Sequence, residues 1–418
     1  MKRDGLISTL GWGGRLLIAL HLGIIFSYFG LWAITAKNNV LWRADFTAYY
    51  TAWNIIRAGA GAHLYDLATQ TTYQLQLLQG GRFTDNVLPY NYPPYMALVL
   101  YPLSWFSLSA SYWIFAAIQM LILGRVLYLL VSIARLQQWG RTEILFLAVI
   151  FCAFPPLFNA LLLGNFTLLV LWGWFELYRA LTMQRETAAA LWLVLTTAKL
   201  QHTVFYGVVL LAARRWKTLF VAFGVMVALI LATSLALGPT LWPDYIKLLA
   251  RLGSVFDQYG ITVRHMINFK GLLVNLFGET YFTAINLVNL LAWAASAILV
   301  AWLWRGTWEP NAPDFSLKLA FSLTLGLIFS PHSNVQDALF LVFPVFLFYV
   351  YLRQHAPIQA QTLGWFAIAS PTLLLISEFL LRNELPVHLP FLLLLGLAIW
   401  MGLTLHRLPV QTQDKPAR

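Results

Sequence analysis

From Leu16 to Ala36 the chain runs without a single Asp, Glu, Lys or Arg. At ~1.5 Å per helical residue this stretch covers about 30 Å, the apolar thickness of a bilayer, and it is longer than the apolar core of a signal peptide. It reads as a retained anchor. Comparable runs recur to the end of the chain: of 418 residues 60% are hydrophobic and 10% charged, and the mean hydropathy is +0.70. A soluble surface cannot be built from that composition, and only helices or closed barrels satisfy their backbone in lipid. The expected fold class is all-α, a polytopic membrane protein. The single cysteine, Cys152, excludes a disulfide framework and a thiolate metal cluster. There is no G-x-x-x-x-G-K-[ST] run and no H-E-x-x-H, so ATP-driven transport and zinc-protease chemistry lack their usual motifs. No Asp-x-Asp pair occurs; no cofactor is called for, and a divalent metal is left open.

A net charge of +11 could suggest nucleic acid, but the basic residues follow the rhythm of the apolar runs. Candidate spans lie near 16–36, 110–133, 143–163, 166–181, 187–198, 201–213, 218–238, 281–304, 316–330, 336–352, 362–381 and 387–406, within a range of about 10–13 transmembrane helices. With the N-terminus inside, short inner connections carry Arg135/Arg141, Arg179/Arg185, Arg214/Arg215/Lys217, Arg305 and Arg353, and the C-terminus is also inside. No nucleic-acid partner is expected. Residues 1–407 read as one membrane domain and 408–418 as a polar cytoplasmic tail; the membrane is expected to be a bacterial inner membrane. Two long outer segments, 37–109 and 239–280, break the pattern of tight turns, and function is expected there. Within them 94–107 and 270–278 are too short to cross and should be half-helices. Phe46, Tyr49, Tyr50 and Trp53 recur at helical spacing, which predicts an amphipathic helix lying along the membrane surface.

Ionisable and amide side chains are expensive at membrane depth. In this topology they collect at the outer rim: Arg43, Asp45, His63, Tyr65, Tyr90, Asn91, Asn165, Lys199, Gln201, His202, Arg264, His265, His332, Asn334 and Asp337, all read as candidate substrate-binding residues apart from Asp45. Asp45, in "WRADFTAYY", suits a helix cap, and a carboxylate set among aromatic residues also suits a general base. Tyr49, Tyr50 and Trp53 could wall a sugar site beside it, or simply pack. "YNYPPY" at 90–95 reads as a proline-led helix start, and "FPPLFNALLLGN" at 154–165 as a kinked span closed by Gly-Asn. Asn165 forms a glycosylation sequon with Thr167, discounted because no acceptor loop surrounds it. In "AKLQH", Lys199 stands between two short apolar halves whose far ends are pinned inside by Arg185 and Arg214. It is either a snorkelling helix-end lysine or a clamp on a lipid-borne phosphate. "SPHSNVQD", 330–337, combines cap and turn chemistry with polar groups for a phosphate or sugar.

The ordered series of "DFTAYYTAW", "AGAGAHLYD", "YNYPPYMALVLYPL", "FPPLFNALLLGN", "AKLQH" with "LLAARRWK", and "SPHSNVQD" resembles the family 87 glycosyltransferases of the GT-C membrane class. Asn165 stands where Gln is common in that family, and His202 replaces a frequent Pro. The resemblance implies inverting transfer of a sugar, often mannose, from a polyprenyl-phosphate donor to a hydroxyl acceptor on a glycan or lipid, at the non-cytoplasmic face, with Asp45 as base. Two other classes use similar lipids: a flippase of lipid-linked sugars, whose internal symmetry is missing here, and an O-antigen polymerase or ligase, which places its large outer loop late rather than first.

Overall fold

The computed structural model describes residues 11–37, 45–78, 87–259, 262–306, 308–376 and 389–407. Among these, eighteen α-helices and several 3-10 turns follow one another with no strand. Seven helical stretches are long and apolar enough to cross a membrane, or eight if the bent pair Arg141–Ala153 and Pro155–Leu162 counts as one span. Fewer helices pass that test than the sequence offered as spans: Thr167–Thr182 and Phe315–Ile328 stop at 16 and 14 residues, and the candidates 187–198 and 201–213 fall within one stretch, Glu186–Ala212. The Pro155-Pro156 pair has the expected effect: it opens a new helix at 51° to the one before.

One of the seven stretches, Glu186–Ala212, is not straight. A 3-10 turn over Thr197–Lys199 interrupts it, and Lys199 itself leaves the helical region at φ −123°, ψ 75°. The Thr203 hydroxyl reaches back seven residues to the Thr196 carbonyl (2.6 Å). A straight 27-residue helix would separate its ends by about 40 Å, yet Glu186 forms an ion pair with Arg215 and accepts a hydrogen bond from Thr218. Glu186–Thr196 and Leu200–Ala212 are therefore the two arms of a hairpin with Lys199 at its tip, as the flanking arginines suggested.

Ionic contacts mark the end of the bundle opposite that tip. Arg353 binds Glu143 at 3.0 Å, and the Arg215 guanidinium lies over Trp308. From Asn165 the Thr167–Thr182 helix travels about 24 Å to the arginine-rich connection at 179–185. Basic connections and polar rim thus occupy opposite ends.

The Asp45–Arg57 helix corrects one expectation. It presents no free apolar face to a membrane surface: every residue from Phe46 to Ile55 is buried. Phe46 packs on Tyr112 and Phe115 of the long Leu108–Leu136 helix, and the Tyr50 hydroxyl donates to the Phe106 carbonyl (2.6 Å). The Leu67–Leu77 helix turns Gln70 and Gln74 inward, where they hydrogen-bond the backbone of Leu88 and Tyr90 and hold the extended segment before Pro93.

The hairpin is open to a direct check. In a Cys152→Ala background, Glu186→Cys with Thr218→Cys should cross-link with a short bifunctional thiol reagent, read as a protected fragment after proteolysis between the sites. A continuous helix through Lys199 would leave the two thiols out of reach.

Candidate active site

Four short segments meet at the hairpin tip. The first is the turn Leu163-Gly164-Asn165, where Gly164 has φ +63° and an added Cβ would stand 2.8 Å from Phe46 Cβ. Any side chain there would be strained twice over. The close approach lets the Phe46 N–H donate to the Leu163 carbonyl (3.0 Å), so the start of the Asp45–Arg57 helix is held by the end of another helix. Asp45 and Asn165 then face each other, and the Asn165 amide donates to the Asp45 carboxylate.

Asn165 is fixed on its other sides. Its side-chain oxygen accepts from the Thr167 N–H (2.8 Å) and hydroxyl (2.6 Å), and its carbonyl accepts from Gln119 (2.7 Å). The sequon residues are a buried hydrogen-bond relay: Asn165 is 1% exposed and Thr167 0%. Thr167 Oγ1 also lies 3.3 Å from Asp337 Oδ1.

Asp337 is the hub of the site. It receives the Lys199 amine at 2.5 Å, the Asn334 N–H at 2.9 Å as part of a helix cap, and faces His202 Nε2 at 3.6 Å. Lys199 and Asp337 are 5% and 1% exposed, so each charge depends on the other. His202 packs at a tilt against Phe340, and the Asn334 side chain contacts His332 Nε2 at 3.2 Å. Tyr95 ties the tip to the "YNYPPY" segment through Thr197 (2.6 Å).

Asp45 is half-buried, and burial raises its carboxyl above the ordinary carboxylate range; the Asn165 hydrogen bond and the Lys199 charge oppose that rise, while Asp337 adds to it. Burial likewise pushes the Tyr49 and Tyr92 hydroxyls well above their ordinary value. Burial, against the pull of Asp337, brings the His332 imidazole down to about 4, so it is neutral at physiological pH.

The structure thus gathers Asp45, Asn165, Lys199, His202, His332, Asn334 and Asp337 into one cluster. Tyr49 lines it, stacked on Phe166 at 4.3 Å. Tyr65 and Tyr90 form an aromatic layer behind it, with the Tyr65 hydroxyl donating to the Tyr92 carbonyl (2.7 Å). The expected wall of Tyr49, Tyr50 and Trp53 does not form. Tyr50 and Trp53 point into the core, and Trp53 is wholly buried, because neighbouring helices enclose the Asp45–Arg57 helix. His63 is exposed on the Gly61–His63 turn, Asn91 is half-buried between Tyr90 and Tyr92, and half-buried Gln201 makes no polar contact with the cluster among the described residues. Arg264 is exposed over Phe256, with half-buried His265 beside it. Arg43 lies outside the described residues.

Three residues that the sequence reading passed over belong here. Tyr92 is close enough for Asp45 and Asn165 to act on its hydroxyl; in an extended stretch it shares a side with Tyr90, a period-two signal. Thr167 was visible only as part of a sequon. Lys270, one residue into the Phe269–Phe277 helix, carries a charge inside an otherwise uncharged segment. No group of three or more His, Cys, Asp or Glu side chains converges as a metal site among the described residues.

A largely apolar cavity of about 510 Å³ opens below the cluster. Ile267 and Ala338 border it near the site, Phe151 and Leu397 line its length, and Trp139 and Glu143 border it toward the basic end.

An all-helical membrane bundle thus gathers carboxylate, amine and amide groups at one end, with an apolar cavity below them, an arrangement that suits a membrane-embedded enzyme. The sequence agrees: residues 90–331 match the model of glycosyltransferase family 87, and the chain belongs to that family of membrane glycosyltransferases. Asp45 lies well before the matched range and Asp337 shortly after it, and both are joined to it by the contacts above. No curated protein and no solved structure matches the chain.

Lys199→Met should leave Asp337 buried without its partner and cost ~3–5 kcal/mol, lowering the thermal unfolding midpoint in detergent. Adding Asp337→Leu should recover most of that loss. A Lys199→Met protein that melts like the parent would show that the pair does not brace the tip.

Proposed function

We propose that the chain transfers a hexose, with mannose the family's frequent choice, from a polyprenyl-phosphate donor to a hydroxyl of a glycan or lipid acceptor, with inversion and with Asp45 as general base. The observation that carries this reading is the placement of Asp45: a half-buried carboxylate of raised proton affinity, joined by Asn165 and Thr167 to a buried ammonium–carboxylate pair. A base works best when its pKa approaches the operating pH. Asn165 holds one carboxylate oxygen and so orients the other.

In the proposed step the acceptor oxygen forms a bond to the anomeric carbon as its proton passes to Asp45. The bond from that carbon to the phosphate oxygen breaks on the opposite face, and its electron pair leaves with polyprenyl phosphate. The phosphate gains negative charge in this step, and fixed positive groups directed at it stabilise the transition state. Lys199, held in place by Asp337, contributes that charge from the hairpin tip. The apolar cavity suits an isoprenoid chain, since it begins beside Ile267 and Ala338, next to the groups that would meet the phosphate. The basic connections gather at the other end of the bundle, which by the positive-inside rule supports a site on the non-cytoplasmic face.

Asp45→Asn keeps the shape and removes the base; sugar transfer from a polyprenyl-phosphate hexose in proteoliposomes should fall by about 10²- to 10⁴-fold. The parent's rate should also decline on acidification at a pH above the ~4 of an ordinary carboxyl, because the base must be ionised to accept the proton. Undiminished transfer by the variant would remove Asp45 from its role.

A further inference from the structure

Lys270 is 5% exposed, and its amine lies over the Phe282 ring at 4.7 Å. No carboxylate lies against it among the described residues, unlike Lys199. A buried ammonium without a counter-ion is costly, and proteins ordinarily pair it or lose it. Its position is nevertheless built with care. Ile267 N–H donates to the Ser333 carbonyl (3.0 Å), and the Asn268 amide donates to the Ser330 carbonyl (2.7 Å), lacing this segment to the "SPHSNVQD" turn. Asn268 also caps the Phe269–Phe277 helix by accepting from the Gly271 N–H (2.9 Å). Gly271 admits the Met266 carbonyl so closely that an added Cβ would lie 2.0 Å from that oxygen. Lys270 is thereby held on the far side of the same turn that carries His332 and Asp337, and its charge is felt at His332. Ile267, in this laced segment, borders the apolar cavity.

The cluster's charges make the gap specific. Asp337 already offsets much of the Lys199 charge, so that amine alone leaves an incoming phosphate undercompensated. We propose that Lys270 is the counter-charge for the phosphate of an isoprenoid phosphate lying in the apolar cavity, a binding residue separate from the Lys199–Asp337 strut. This rests on the lipid-phosphate reading above. A phosphodiester donor brings one negative charge, and the phosphate monoester released after transfer carries up to two. Lys270 adds a positive charge with no carboxylate against it among the described residues and favours the product-like charge that develops as the sugar departs.

The test is native mass spectrometry of detergent-purified parent, Lys270→Met and Lys270→Arg proteins titrated with undecaprenyl phosphate, neutral undecaprenol, phosphatidylglycerol and inorganic phosphate. The parent should prefer undecaprenyl phosphate over undecaprenol by about 10- to 100-fold, the size of a charge-assisted contact. Lys270→Met should bind the two nearly equally with undecaprenol binding unchanged, which also reports an intact fold, and Lys270→Arg should retain the preference. Equal competition by phosphatidylglycerol, or displacement by inorganic phosphate alone, would overturn the proposal in favour of a general lipid or free-anion site. Lys270→Met that keeps the full preference, while Asp45→Asn abolishes transfer, would remove Lys270 and leave the enzymatic reading standing. A parent that shows neither preference nor transfer would overturn both.

Discussion

Everything at the site end hangs on the buried ion pair between Lys199 and Asp337. Lys199 sits where a helix breaks, and Asp337 sits where another begins. Without the amine, the carboxylate would be an isolated charge in an apolar bundle; without the carboxylate, nothing would hold the amine at the tip of two apolar arms. Each residue also serves its own backbone. Asp337 closes the first turn of its helix through the Asn334 N–H, and the chain at Lys199 departs from helical geometry so that the hairpin can fold back. Specificity of arrangement is therefore a better account of the pair than stability, because a well-packed apolar replacement often does as well energetically.

The two carboxylates of the cluster have opposite environments, and that contrast gives them different work. Asp337 is surrounded by donors, an ammonium, a backbone N–H and a threonine hydroxyl, with an imidazole 3.6 Å away. Asp45 meets an amide donor and an aromatic enclosure, and it stays partly open. A carboxylate saturated with donors has no reason to take up a proton, whereas one raised by desolvation does. Asn165 and Thr167 connect the two without letting them touch, so the charge of one reaches the other through a neutral, oriented relay.

Much of this was legible in the sequence, and the gaps have physical causes. Charge rhythm showed which connections share an end, and the arginines flanking the "AKLQH" stretch located the hairpin, since short apolar arms with like flanks must return. The polar rim was visible because lipid makes such residues conspicuous. Helical spacing misled at Phe46, Tyr49, Tyr50 and Trp53: periodicity tells which residues share a face but not how many faces are covered, and here nearly all are. Thr167 was hidden because a hydroxyl in an apolar run is common, and its partner Asp337 is 170 residues away. The pairing of Lys199 with Asp337 was equally out of reach, as no local pattern reports a contact across 138 residues.

Short helices explain why such a site can exist at all. A full-length span would bring its polar ends to the membrane surface, where water screens every charge. The arms ending at Lys199, with 11 residues before the break, place the cation roughly 16 Å from the Glu186 end, well inside the bundle. The Pro155-Pro156 break and the short Phe269–Phe277 helix end their segments at comparable positions around it. Because irregular backbone at that depth must be satisfied by protein, the turns are stitched to one another: Leu163 to Phe46, Ser333 to Ile267, Ser330 to Asn268. The same stitching leaves the apolar cavity reaching up to Ala338, one residue beyond Asp337. In the proposed reaction a lipid tail and a polar acceptor then approach one carboxylate from different sides, each in the medium it prefers.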